Sequence, residues 1–234
     1  MSQAIQPKTY LQLCNTLITK CGISGNQLVT TLNQTGEMGR VTAWIDEAYT
    51  EIQEMSERWD WMATDVTFPT VDSQAAYTPA QIGLTDFASW DENSFRLYFT
   101  SVGVRSEVFL EWLEWANYRD TYQYGNLRLT TGMPLHISRR PEDLALMLGL
   151  TPGSVGYTVV GRYFKGPQTF TADDDTPLLP ARFHMLIVYK AMELYGDYEV
   201  ATEVMAAGRK GFSGMLKRLI SDQEQPITVG APLA

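Results

Sequence analysis

Apolar residues at Tyr10, Leu13, Cys14, Leu17 and Ile18 form one stripe at helical spacing, and Gly22 supplies a stop, so a first helix is expected over Thr9 to Gly22. The polar, glycine-punctuated stretch from Gly25 to Glu37 reads as a loop or short turn. From Val41 a second stripe runs through Trp44, Ile45, Ala48, Ile52, Met55 and Trp59. The other faces of this predicted helix carry Asp46, Glu47, Glu51, Glu54, Glu57 and Asp60 against Arg58, which makes its outside acidic.

The period then shortens. Residues 65–69, 94–99, 107–112, 135–138, 144–148 and 157–164 are short runs rich in β-branched and aromatic residues, divided by Gly, Pro, Asp and Ser, and they predict strands. Few helices separate them, so antiparallel hairpins or a meander are expected, with a short helix or turn from Trp112 to Tyr122. The glycine-rich Gly149 to Gly156 reads as a hairpin connection, since it lacks the lysine of a phosphate loop. Helical spacing returns after Pro180, which suits a first helical turn. One stripe is Phe183, Leu186, Ile187, Ala191 and Leu194. Another, after a break at Gly196-Asp197, is Ala201, Val204, Met205, Gly208, Phe212, Met215, Leu216, Leu219 and Ile220. Two prolines and a glycine make the last twelve residues non-helical. The expected class is α+β: N- and C-terminal helices (1–61 and 171–222) forming one bundle, a mostly antiparallel β insertion (62–170) and an extended C-terminal tail (223–234).

A hydrophobic content of 44% with 19% charged residues places the chain among globular proteins. A net charge of −9 argues against a sequence-independent grip on nucleic acid, which needs a basic footprint, but suits a wall that DNA slides past. Cys14 and Cys21 lie about 10 Å apart along a helix, too far for a disulfide, and read as small buried groups. The N-terminus lacks the pattern of a signal peptide, and no apolar run is long enough to suggest a membrane span.

Candidate chemistry is sparse. His136 and His184 are the two histidines, and no spacing for a zinc site, a catalytic triad or a nucleophile elbow accompanies them. Neither a catalytic group, a metal nor a cofactor is expected. The run Asp173-Asp174-Asp175 lacks the alternation of a calcium loop and reads as an acidic turn ahead of a helix N-terminus. A hydrolase using His184 beside that run is the enzymatic alternative. Trp44 and Trp59 sit on the core stripe, whereas Trp61, Trp90, Trp112 and Trp115 fit core stripes less clearly and are candidates for subunit contacts. Arg209, Lys210, Lys217 and Arg218 form a modest basic cluster, either a solvated face or a docking patch for an acidic partner. In the tail, Ile227-Thr228-Val229 and Leu233 are apolar and strand-prone, fit to lie in a groove of another chain.

Two stretches carry a resemblance. Ala43 to Gln53 (AWIDEAYTEIQ) with Trp59-Asp60-Trp61, and Tyr163 to Gln168 (YFKGPQ) through Asp173-Asp174-Asp175-Thr176-Pro177-Leu178-Leu179-Pro180 to Phe183-His184, resemble the head-to-tail adaptor (connector, or tail-tubular-A-like) proteins of tailed bacteriophages. The order of elements agrees in outline. The resemblance implies a non-enzymatic virion subunit, made in the host cytoplasm. It implies a ring, commonly of twelve copies, between the portal and a tail or nozzle protein, with DNA passing through the lumen without specific binding and no membrane partner. It also implies a C-terminal clamp on the portal, here Gln225, Pro226, Ile227, Thr228, Val229 and Leu233. A stopper, tail-completion or tail-tube protein is the alternative virion part.

Overall fold

A computed structural model describes residues 6–223 and shows a mixed α+β chain of two compact units. One unit comprises residues 1–61 and 167–234, the other residues 62–166.

Among the described residues, the first unit holds four of the five α-helices: α1 (Tyr10–Cys21), α2 (Gly36–Glu54), α4 (Met185–Tyr198) and α5 (Thr202–Gln223). Thr9 closes a capping box with Gln12 at the start of α1, and Gly22 ends it in the left-handed conformation. The next two N–H groups of α1 find partners from far along the chain, since Tyr10 and Leu11 donate to the carbonyls of Asp175 and Asp173. The acidic turn thus serves the N-terminus of α1, with its main chain.

Helix α2 stops at Glu54, short of the expected Trp59. Trp59 folds back, and its indole N–H donates to the Ile52 carbonyl at 3.1 Å, closing a C-terminal group the helix leaves open. Met55 is consequently exposed while Trp59 is buried. Asp46 also departs from the expected acidic surface. It is half-buried, and the Tyr10 hydroxyl donates to its Oδ2 at 2.9 Å.

Residues 167–180 are strapped across α1 and α2. Phe170 stacks between Tyr10 and Tyr49, with ring centroids 4.6 and 4.9 Å away. The buried Gln53 exchanges two hydrogen bonds with the main chain of Gln168. Ahead of α4, Pro180 leads into a single 3-10 turn, Ala181–Phe183. Helix α4 runs through the expected break at Gly196-Asp197 and ends at Tyr198.

The second unit carries two sheets. In the first, β1 (Ala63–Pro69) pairs β9 (Tyr157–Lys165), which pairs β4 (Arg96–Phe99), which pairs β5 (Val108–Phe109); β3 (Phe87–Trp90) also pairs β9, all antiparallel. In the second, β2 (Ala76–Tyr77), β8 (Leu146–Gly149), β7 (His136–Arg139) and β6 (Glu111–Trp112) follow in that order, and the β6–β7 pair is parallel. Val66, Phe68, Phe95, Leu97 and Val159 of the first sheet side share a core with Tyr77, Ile137, Leu146 and Leu148 of the second.

Three expectations need correction here. The run 107–112 is two strands in two sheets, divided at Leu110, whose N–H bonds to Phe95 while that of Glu111 bonds to Leu135. Gly149 to Gly156 connects β8 to β9 across the sheets, so it is no hairpin. Strands β2 and β3 were not expected, because each is too short or too irregular to show a period. The span Trp112–Tyr122 contains α3 (Trp115–Tyr118), continued by a π-helical turn, Arg119–Gln123.

Candidate functional site

The geometry around His184 excludes the hydrolase arrangement. The ring is 1% exposed; its Nδ1 accepts from the Lys8 main-chain N–H at 2.9 Å, and Nε2 lies 2.8 Å from the Leu179 carbonyl. Both nitrogens are committed to main chain, so the Nε2 proton donates to that carbonyl and none remains for a substrate. Burial, foremost, holds the imidazole below its ordinary pKa and keeps it neutral.

Two members of the acidic run, Asp173 and Asp175, are equally committed. Asp173 accepts from the N–H and hydroxyl of Thr31 at 2.6 and 2.5 Å. Asp175 accepts from the N–H groups of Thr171 and Ala172 at 2.6 and 2.8 Å. These bonds favour the ionised carboxylates and lower both pKa values. Among the described residues no group of His, Cys, Asp and Glu is arranged to hold a metal ion.

His136 belongs to a trio that the sequence did not reveal. The Tyr122 hydroxyl lies 2.5 Å from its Nδ1, and Glu111 Oε2 lies 3.4 Å from its Nε2. Parallel pairing of Glu111 with His136 sets this contact, and no spacing along the chain announces it. The Tyr122 phenol is pushed above its ordinary pKa, by burial first and by Glu111 second, so it is a poor nucleophile. The trio ties the turn after α3 to the second sheet.

Surfaces remain. Arg209, Lys210, Lys217 and Arg218 are all exposed on α5, and none makes an ion pair among the described residues. The four candidate tryptophans do not converge. Trp61 lies in the helical unit, half-buried and stacked on Trp59 at 6.1 Å. Trp90 is 1% exposed, and its indole N–H donates to the Leu144 carbonyl at 2.7 Å. It is a core residue of the β unit, which corrects its place among the contact candidates. Trp112 stacks on Phe95 at 6.3 Å against the same core, and Trp115 stacks on Tyr118 at 5.7 Å. Gln225, Pro226, Ile227, Thr228, Val229 and Leu233 lie outside the described residues. No helix among the described residues is long and apolar enough to cross a membrane.

His184, Asp173 and Asp175 thus brace the chain's own main chain, and the trio around His136 joins side chains within the β unit. Residues 8–233 match the SU10 adaptor protein family, and the chain belongs to this family of phage head-to-tail adaptors. No curated protein matches it.

Proposed function

We propose that the protein is an adaptor subunit of the phage neck, forming a ring of about twelve copies that joins the portal to a tail or nozzle protein and surrounds the DNA path. The observation that carries this reading is the family match, which runs through both helical ends and the β unit rather than one segment. The charge of −9 supports a conduit that does not hold its cargo, since an acidic wall repels phosphate. A closed ring uses two different patches on each copy. The C-terminal residues from Gln225 to Leu233 act as the clamp that enters a portal groove, in keeping with their apolar, strand-prone composition.

The test is co-assembly. Purified protein mixed with portal is expected to give a stacked ring in electron microscopy, and its native mass gives the copy number. Deleting residues 225–234 keeps Gln223, whose side-chain oxygen accepts from the Trp61 N–H at 3.3 Å. That deletion should leave the circular dichroism and melting profile unchanged while abolishing portal binding. Portal binding undiminished by the deletion removes the clamp from the account, and absence of any complex with the intact chain removes the adaptor reading.

A further inference from the structure

Helix α4 carries both α2 and α5, on different arcs of its surface. Trp44 of α2 packs on Tyr195 and Tyr198, at 5.5 and 5.7 Å between ring centroids. Helix α5 approaches a different arc. A Cβ on Gly208 would come within 2.8 Å of the Tyr189 carbonyl and 3.1 Å of Met192 Cβ, and one on Gly196 would come within 2.7 Å of Met205 Cβ. On a helix of 3.6 residues per turn, positions 195 and 198 centre on an arc about 120° from that of positions 189, 192 and 196.

The directions of α2 and α5 agree. Along α2, Trp44 meets Tyr195 and Glu51 then meets Lys190, so α2 runs against α4. Along α5, Met205 meets Gly196, Phe212 faces Lys190, and Asp222 pairs with Arg182, so α5 also runs against α4. Two helices antiparallel to a third are parallel to each other.

Their exposed faces carry matching patterns. On α2 the face reads Arg40, Ala43, Glu47, Thr50 and Glu54; all are exposed save the half-buried Thr50. On α5 it reads Glu203, Ala206, Lys210, Ser213 and Lys217, all exposed. Both follow the same spacing of three and four residues in alternation, that of a helix–helix seam. Position by position the charges are opposite, and the residues between them are small. Successive charges lie seven residues apart on each helix, about 10.5 Å. Glu47, Glu54, Lys210 and Lys217 make no ion pair among the described residues. Arg40 rests over the Tyr198 ring at 5.0 Å.

We propose that these faces dock on each other between copies, α2 of one subunit lying parallel to α5 of the next. In this register Arg40 sits beside the neighbour's Glu203, Glu47 beside its Lys210 and Glu54 beside its Lys217. The inference rests on the ring reading and says which two patches close the ring. Rotation about an axis along these helices preserves their direction, so helices parallel within a subunit stay parallel across the contact. A two-fold axis perpendicular to the helices would run them antiparallel and set Arg40 against Lys217, like against like. Small residues between the charges let the helices approach closely, and the exposed pairs make the contact sensitive to salt.

The experiment uses two full-length variants, Glu47→Lys/Glu54→Lys and Lys210→Glu/Lys217→Glu, each mixed with portal and followed by native mass and electron microscopy. All four sites are solvent-exposed, so each variant should keep the wild-type circular dichroism and melting profile. Alone, each is expected to lose rings. An equimolar mixture, in which alternation of the two variants pairs an acidic face with a basic one at every junction, is expected to recover them, as is the fourfold exchange on one chain. Ring formation by either variant alone, or failure of both the mixture and the exchange with the fold intact, overturns the pairing. If Lys210→Glu/Lys217→Glu still forms rings but loses retention of duplex DNA in a gel-shift assay, the α5 face is a nucleic-acid surface and the pairing is wrong. Wild-type protein that forms no ring with portal would instead overturn the adaptor reading on which this one stands.

Discussion

His184→Leu offers a quantitative test of the idea that this histidine is a main-chain brace. The substitution removes an acceptor from the Lys8 N–H and a donor from the Leu179 carbonyl, both enclosed by an environment that leaves the ring 1% exposed. An unpaired buried polar group costs about 1–3 kcal/mol, so the two together should cost roughly 2–6 kcal/mol near pH 8. For a chain of this size that corresponds to a melting shift of about 4–24 °C. His184→Gln keeps an acceptor and a donor at similar reach and should lose less. The loss is also pH-dependent. The folded-state pKa of His184 is lowered by burial, so below about 6.5 the unfolded chain takes up a proton that the folded chain resists. Wild-type stability from this group is therefore full above pH 6.5 and is lost as pH falls, by at most about 1.4 kcal/mol per unit. Neither variant titrates there, so the gap between wild type and His184→Leu should narrow from pH 8 to 5.5. Urea unfolding at both pH values measures it. A variant as stable as wild type at pH 8, or a gap that does not change with pH, would refute the reasoning.

Asp46 carries the opposite pH dependence. Burial, first, raises its carboxyl to about 6 in the folded state, so the folded chain holds a proton that the unfolded chain has released, and stability is lost as pH rises through about 6. Asp46→Asn is expected to stabilise the protein at pH 8 relative to wild type. Solvent screening of this half-exposed group limits the gain to about 1–2 kcal/mol, and the advantage should vanish near pH 4; equal pH profiles in urea titrations would count against it. Gly208→Val should separate α4 from α5, because its side chain would meet the Tyr189 carbonyl. The expected loss is about 1–3 kcal/mol by thermal unfolding, and an unchanged melting temperature would show the helices free to part.

The sequence by itself determined the elements whose signal is local. The stripe from Tyr10 to Ile18, its Thr9 start and its Gly22 stop specify α1, since a helix's periodicity and caps lie within a few residues of one another. The stripe beginning at Val41 likewise specifies α2, and the β-branched runs specify β1, β7 and β9. The absence of motif spacings around the two histidines was also readable. The adaptor resemblance, carried by about forty residues, named the family that the full-length match shows.

Tertiary structure alone decided the rest, because the deciding partners are far apart along the chain. Trp59 ends α2 by turning back onto Ile52, which no stripe can foretell. The carbonyls of Asp173 and Asp175 cap α1 from more than 160 residues away, and Lys8 is held by His184 across 176 positions. The run 107–112 keeps one β pattern yet serves two sheets, since pairing is set by which edges the core presents and not by the strand's own residues. Trp90 looked available for a partner and became core because the irregular β3 pairs with β9. The matched charge patterns of α2 and α5 were written in the sequence throughout. Only the packing of both helices against α4, in one direction and on different arcs, turned those patterns into complementary surfaces.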